Sequence, residues 1–166
     1  HGDVVHVDRR RAELTQPGID ELRSAAAVDE ALKDAPGTRL VIVNSVCGCA
    51  ARNMRPAVAA ALQSAHKPDA AYTVFAGNDA DATRQARSYF TGYAPSSPSI
   101  ALFKDGKLMH MVERWQIEGR SVESIAADPR DGVVPAHGMA QPAGDFLQHH
   151  VAEFVAEGIV DVLEVI

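Results

Sequence analysis

The stretch Arg39-Leu-Val-Ile-Val-Asn-Ser-Val-Cys-Gly-Cys-Ala-Ala-Arg-Asn-Met-Arg-Pro56 joins an apolar run to a helical pattern. Leu40 to Val43 fit a strand that is buried on both faces, which is typical of a parallel sheet. Beyond the cysteines, apolar residues recur at helical spacing, at Ala50, Met54, Val58, Ala61 and Leu62. Pro56 lies inside this predicted helix and is expected to kink it. The two cysteines of the 166-residue chain, Cys47 and Cys49, therefore lie where a strand ends and a helix begins.

Two thiols one residue apart can pass between a dithiol and a disulfide, so we expect thiol–disulfide chemistry at Cys47 and Cys49. The N-terminus of a helix offers partial positive charge and free N–H groups, which favour a thiolate at Cys47. Arg52 and Arg55 would add positive potential if they fold back over the cysteines. Cys47 is then the nucleophile and Cys49 the thiol that resolves the intermediate.

Two other interpretations of the cysteine pair stay open at this point. The thiols could be buried and inert, or they could supply two ligands to a metal ion. A zinc site normally takes four ligands, and no histidine or third cysteine stands at motif spacing in the sequence. We therefore predict redox chemistry and no metal site.

Length and charge narrow the class of protein. A chain of 166 residues suits one domain with a core of its own, and two cysteines are too few for a disulfide scaffold. The net charge of −6, with both signs interspersed, argues against a nucleic-acid or anionic-membrane partner. Apolar runs are shorter than the roughly 20 residues of a membrane span. No signal peptide is visible, although a leader could precede His1, and we expect a cytoplasmic protein.

The rest of the chain predicts strands and helices in alternation. Alternation at Val5 and Val7 favours an N-terminal edge strand. The further predicted elements are a helix over Ile19–Lys33 broken near Ser24, a strand over Tyr72–Ala76, a helix from Asn78 to Phe90, a hairpin of Ser99–Phe103 and Leu108–Val112 around Asp105-Gly106, and a helix over Gly119–Ala127. This order predicts an α/β protein, namely a thioredoxin-like three-layer α/β/α sandwich with a mixed central sheet.

The composition changes near Asp128, and we place the end of the thioredoxin-like domain there, so that the domain with its N-terminal extension spans residues 1–128. Residues 129–166 read as a linker followed by an amphipathic C-terminal helical extension. We expect this extension to pack on the same domain. The alternatives are that it forms a subunit contact, which would give a homodimer, or a contact with a client protein.

Pro98 is the second candidate site residue. It enters the predicted third core strand after the loop Tyr93-Ala-Pro-Ser-Ser-Pro98, and in this type of fold that position lies across from the cysteines. A cis peptide bond at Pro98 would let an incoming chain pair with the preceding backbone. A trans proline that simply starts a strand is the alternative.

The motif Asn-Ser-Val-Cys-Gly-Cys within Val43–Pro56, together with Tyr89-Phe-Thr-Gly-Tyr-Ala-Pro-Ser-Ser-Pro-Ser-Ile-Ala101, resembles the bacilliredoxin family of thioredoxin-like proteins. The resemblance extends over roughly residues 8 to 127 and leaves the last forty or so residues unexplained. It implies a bacterial cytoplasmic oxidoreductase that removes bacillithiol from modified protein cysteines or acts as a disulfide isomerase of broader specificity. A metal-handling module that uses the C-x-C as ligands is the alternative from another class.

The same resemblance assigns roles to residues. Cys47 would attack the mixed disulfide and Cys49 would resolve it, while Ser97 and a cis Pro98 would hold the substrate backbone. Asn53 and Arg55 match family positions and would support the site. No cofactor would be bound, and bacillithiol or another low-molecular-weight thiol would be the co-substrate. The partners would be client proteins with modified or disulfide-bonded cysteines.

Overall fold

The computed structural model describes residues 2–63, 67–122 and 125, with side chains from residue 7 onward. The predicted C-terminal extension and most of the predicted helix over Gly119–Ala127 lie outside the described residues. The helices are α1 Gly2–Thr15, α2 Ala25–Leu32, α3 Arg55–Ala61, α4 Ala80–Ser88 and α5 Arg114–Ile117, with a π-helical segment at Ala50–Met54. The strands are β1 Asp20–Glu21, β2 Thr38–Asn44, β3 Ala70–Phe75, β4 Ser99–Lys104 and β5 Lys107–Val112.

The predicted N-terminal edge strand is wrong, because residues 2–15 form α1. Alternation at two valines is outweighed by the run of good helix formers that follows them, from Arg9 to Leu14. Leu14 is fully buried and fixes the end of α1 to the core. Arg11, one turn earlier, pairs with Glu21 at 2.7 Å and with Asp79 at 2.8 Å, so α1 is also tied to β1 and to the start of α4.

The five strands form one mixed sheet in the order β1-β3-β2-β4-β5. β1, β3 and β2 run parallel, whereas β4 is antiparallel to β2 and β5 is antiparallel to β4. The predicted hairpin is confirmed, and its turn places Asp105 and Gly106 at φ angles of 49° and 76°, in the left-handed region that an Asp-Gly pair tolerates. The predicted helix over Ile19–Lys33 is divided: its first residues form β1, and the side chain of Ser24 caps α2.

Helices cover both faces of this sheet. Alternate residues of the central strand β2 point to opposite faces, so Leu40 and Ile42 pack with α1 and α3 while Val41 and Val43 pack with α2 and α4. On the second face, the Tyr89 hydroxyl after α4 donates to the Asp29 carboxylate of α2 at 2.6 Å. The fold is therefore the thioredoxin-like α/β/α sandwich with a mixed sheet that the sequence predicted. In the described part of the chain, no helix has the length and apolar character needed to cross a membrane.

Candidate active site

The two cysteines follow the C-terminal end of β2, as predicted. Their sulfur atoms lie 2.50 Å apart, in disulfide contact, with a Cα–Cα distance of 5.5 Å. Cys47 is half-buried and packs against the core cluster formed by α1, α3 and one face of the sheet. The pair is thus anchored on one side in the core and joined on the other to a loop at the edge of the sheet.

Two groups donate to the sulfur of Cys47. The backbone N–H of Ala50 donates to Cys47 Sγ at 3.4 Å, and the Ser45 hydroxyl lies 3.2 Å from the same atom. A disulfide sulfur carries no proton, so the hydroxyl is the donor in this pair. Both donors would remain in place for a thiolate at Cys47, and hydrogen bonds to an anion are stronger than those to a neutral group. The expected N–H contact at the start of the helix is therefore present.

Arg52 folds back over the cysteine loop. A Cβ atom built on Gly48 would lie 3.0 Å from Arg52 Nη2, so the guanidinium rests directly against the glycine between the two cysteines. A larger side chain at position 48 would push the guanidinium away. The glycine thus gives the cation its place beside the sulfur pair.

Arg55 does not fold back over the cysteines. The expectation that it adds positive potential there, which depended on such a position, is therefore wrong. Its side chain is 2% exposed and points beneath the loop, where Nε donates to the Glu13 carboxylate of α1 at 2.5 Å. Nη1 donates to Asn44 Oδ1 at 3.1 Å and to the Ser45 carbonyl at 3.2 Å. Asn44 Oδ1 also accepts the Ser45 N–H at 2.9 Å. Arg55 therefore holds the two residues that lead from β2 to Cys47.

The helix after the cysteines begins with a wider turn than an α-helix has. Residues 50–54 form a π-helical turn, and the Arg55 N–H bonds to the Ala50 carbonyl five residues earlier. Pro56 is the second residue of α3, which continues directly from the π-helical turn, so the proline lies inside a continuous helical segment as predicted. The wider turn thus ends where the proline begins a regular helix. The kink expected at Pro56 stays a prediction, and the π-helical turn directly before the proline is the irregularity that the structure shows there.

Pro98 lies at the same edge of the sheet as the cysteines, because Val43 at the end of β2 pairs with Ser99 at the start of β4. The Ser97–Pro98 peptide bond is cis, as expected from the resemblance. Pro98 is buried and Ser97 half-buried. Arg114 Nη1 donates to the Ser97 carbonyl at 3.5 Å, so α5 borders this loop.

A cleft of about 500 Å³ opens beside Cys49. It is bordered by the π-helical turn on one side and by the residues after α5 on the other, and its lining comprises Cys49, Arg52, Asn53, Glu118, Gly119, Arg120 and Ser121. The Asn53 side chain donates to the Arg120 carbonyl and so joins the two walls. Among the described residues, no group of three His, Cys, Asp or Glu side chains is placed to hold a metal ion.

Ser45, Asn44, Glu13 and Arg114 were missed as site residues from the sequence. Ser45 and Asn44 did carry a signal, since two polar residues directly after a buried strand mark the edge where ligands bind in open α/β sheets. Glu13 and Arg114 carried none, because their contacts join residues 42 and 17 positions apart.

Comparisons with known proteins agree with this geometry. A family model described as Disulphide isomerase matches residues 4–132. A bacilliredoxin of Koribacter versatilis is 54% identical over 117 residues, which cover 70% of this chain and 81% of that protein. Bacilliredoxins of Staphylococcus saprophyticus and Staphylococcus aureus are 54% and 52% identical over 119 residues, which cover 72% of this chain and 81% of each relative.

Proposed function

Because the chain belongs to the bacilliredoxin family of thiol–disulfide oxidoreductases, we propose that it removes bacillithiol, or another low-molecular-weight thiol, from mixed disulfides on client proteins. The observation that carries the proposal is the pair of donors on Cys47 Sγ, the Ala50 N–H at 3.4 Å and the Ser45 hydroxyl at 3.2 Å. They favour Cys47 as the thiolate, and Cys49 is already within bonding distance of it.

The reaction consists of two thiol–disulfide exchanges. The Cys47 thiolate attacks the sulfur of the small thiol in the mixed disulfide, a new S–S bond forms, and the client leaves as a thiolate. The Cys49 thiolate then attacks Cys47 Sγ and releases the small thiol as a thiolate, which leaves the Cys47–Cys49 disulfide. Two electrons from two further low-molecular-weight thiols return the enzyme to the dithiol, and those thiols leave as their symmetrical disulfide.

The other site residues position the client and the cysteine loop and do not contact the reacting sulfurs. Ser97 and Pro98 hold the client backbone, a role supported by their place at the same edge of the sheet as the cysteines. Asn53 supports the wall of the cleft through the Arg120 carbonyl. Arg55 supports the loop before Cys47 through Asn44 and the Ser45 carbonyl.

The setting of the enzyme follows from this chemistry. No bound cofactor takes part, because the small thiol is a co-substrate. We place the enzyme in the cytoplasm, where protein thiols are kept reduced and small thiols are available to recycle the dithiol. Residues 1–128 would carry the reaction, and residues 129–166 would pack on that domain.

The direct test is release of the small thiol from a client protein that carries it on one cysteine. The wild-type chain should release one equivalent of small thiol per client and end as the disulfide. Cys47→Ser should release none, whereas Cys49→Ser should free the client but keep the small thiol. An unreactive wild-type chain, or a Cys47→Ser variant as active as wild type, would overturn the proposal.

Disulfide isomerase activity is the second candidate, and the description of the matching family model favours it. In that reaction Cys47 would attack a disulfide within one client, and the client's own second thiol would displace Cys47. Reactivation of a scrambled disulfide protein without added small thiol would support isomerase activity. If the chain releases the small thiol rapidly but does not reactivate the scrambled protein, only the first proposed function remains.

A further inference from the structure

From the contacts of the loop before Cys47 we infer that Arg10 of α1 is a positioning residue for the exchange reaction. Its bond to the Val46 carbonyl holds a positive charge beside Cys47, and this charge favours the thiolate. The inference rests on the proposed function, in which Cys47 attacks as a thiolate. It makes the N-terminal helix α1 a part of the active site.

The first support is the bond between α1 and the cysteine loop. Arg10 Nη1 donates to the Val46 carbonyl at 2.8 Å, and Val46 is joined directly to Cys47. Standard bond lengths therefore place the guanidinium within about 6 Å of the Cys47 Cα atom. A cation at this range still stabilises a thiolate, because the Coulomb energy falls only in proportion to the distance.

The second support is that Arg10 is fixed in place by the end of β2. The Asn44 side chain donates through Nδ2 to the Arg10 backbone carbonyl at 3.5 Å. Asn44 Oδ1 in turn accepts from the buried Arg55 guanidinium at 3.1 Å. Residue 10 and the cysteine loop are therefore linked in both directions. None of these bonds includes a sulfur atom, so opening the Cys47–Cys49 bond removes none of them.

The third support is the balance of charge around the cysteine loop. Among the residues that the structure describes, Arg10 has no ion pair, so no carboxylate cancels its charge. The other charged side chains that face the loop from α1, the π-helical turn, α3, α5 and the residues after α5 are Glu13, Arg52, Arg55, Arg114, Glu118 and Arg120. Both carboxylates of this group are paired elsewhere, Glu13 with Arg55 and Glu118 with Arg114.

The experiment measures how fast iodoacetamide alkylates Cys47 in the reduced full-length chain, with the labelled residue identified by peptide mapping. The pH runs from about 6 to about 10, a range that spans the ordinary pKa of a thiol. Iodoacetamide is uncharged, so an attraction between the reagent and Arg10 does not enter the rate. Arg10→Gln removes the charge and retains a donor for the Val46 carbonyl. Arg9→Gln is the matched control, because it removes the same charge from an exposed arginine at the neighbouring position of α1.

Arg10→Gln should slow the alkylation of Cys47 about threefold near neutral pH, because a smaller fraction of the thiol is ionised without the nearby cation. The effect is modest since Val46 is 53% exposed and water and salt screen the charge. At the high end of the pH range the variant and wild type should react equally fast, because the thiol is then ionised in both. Arg10→Lys should keep most of the neutral rate, and Arg9→Gln should match wild type at every pH.

Slowing of Arg10→Gln by the same factor at every pH would overturn the inference, since Arg10 would then act only on the shape of the loop. An unchanged rate near neutral pH would overturn it as well, and so would an Arg10→Lys or Arg9→Gln variant that is as slow as Arg10→Gln. A failure of the proposed function is distinct from these outcomes, because the chain would then release no small thiol from a client, whatever the rate at which Cys47 is alkylated.

Discussion

Replacing Arg55 with methionine tests how the loop before Cys47 is held. The Arg55 side chain is 2% exposed, and its Nη1 bonds two buried acceptors, Asn44 Oδ1 at 3.1 Å and the Ser45 carbonyl at 3.2 Å. Methionine fills a similar volume but leaves both acceptors without that donor. The substitution therefore changes the hydrogen bonds and the charge more than the packing.

The expected cost comes from three opposing effects. Two hydrogen bonds from a charged donor are each worth about 1.5–3 kcal/mol, and removing a buried guanidinium returns part of its desolvation cost. The Glu13 side chain is 42% exposed, so water can replace its lost partner. We expect the free energy of unfolding to fall by about 2 kcal/mol, which moves the urea midpoint down by about 1 M.

The assay is urea unfolding of the oxidised chain, followed by far-UV circular dichroism. Glu13→Gln should cost only about 1 kcal/mol, because the glutamine Oε1 can still accept from Arg55 Nε and Arg55 Nη1 keeps both of its hydrogen bonds. Arg84→Met, at a fully surface-exposed pair, should unfold with wild type. An Arg55→Met midpoint within about 0.2 M of wild type, or a Glu13→Gln variant that loses as much, would refute the role assigned to Arg55.

Three further changes probe other parts of the structure. Ser45→Ala removes the hydroxyl that lies 3.2 Å from Cys47 Sγ. Alkylation of Cys47 by iodoacetamide in the reduced chain at neutral pH should then slow roughly fivefold. An unchanged rate would argue against the hydrogen bond. Hydrogen bonding to Asp29 raises the pKa of Tyr89 to about 12, so an ultraviolet titration should show one late tyrosine that is absent in Tyr89→Phe. The pKa of Tyr89 is higher in the folded chain than in the unfolded chain. The hydrogen bond to Asp29 therefore contributes fully to stability below about pH 10, and this contribution is lost as the pH rises toward 12. Titration of all tyrosines near their ordinary pKa would contradict this prediction. Ile42→Ala in the central strand should cost about 2–5 kcal/mol in urea unfolding, whereas Met109→Ala on the exposed side of β5 should stay within about 0.5 kcal/mol of wild type; similar losses in both would contradict the assigned core.

The parts of the fold that the sequence predicted are those with strong local patterns. The four apolar residues of β2, the Asp-Gly turn of the hairpin and the strand-to-helix position of the cysteines can each be read within about ten residues of chain. The N-terminal helix was missed because Val5 and Val7 alternate, and the helix-forming residues that decide the segment come later.

The contacts around the cysteines were harder to predict because they join distant segments. Arg55 could have turned toward Cys47 or away from it, and its partner Glu13 lies 42 residues earlier on a helix that was itself mispredicted. The cleft beside Cys49 likewise forms only when the residues after α5 meet the π-helical turn. Spacing along the chain identified the sulfurs but not the groups that surround them.

In the proposed reaction, Cys47 takes the small thiol from the client and Cys49 releases it. The most direct measurement is the intact mass of the Cys49→Ala chain after it has reacted with a client carrying bacillithiol on one cysteine, followed by peptide mapping. We expect a mass increase of one bacillithiol, located at Cys47, and a client freed of its modification. A chain bonded to the client itself, or an unmodified Cys47 beside an unchanged client, would rule out these roles for the two cysteines.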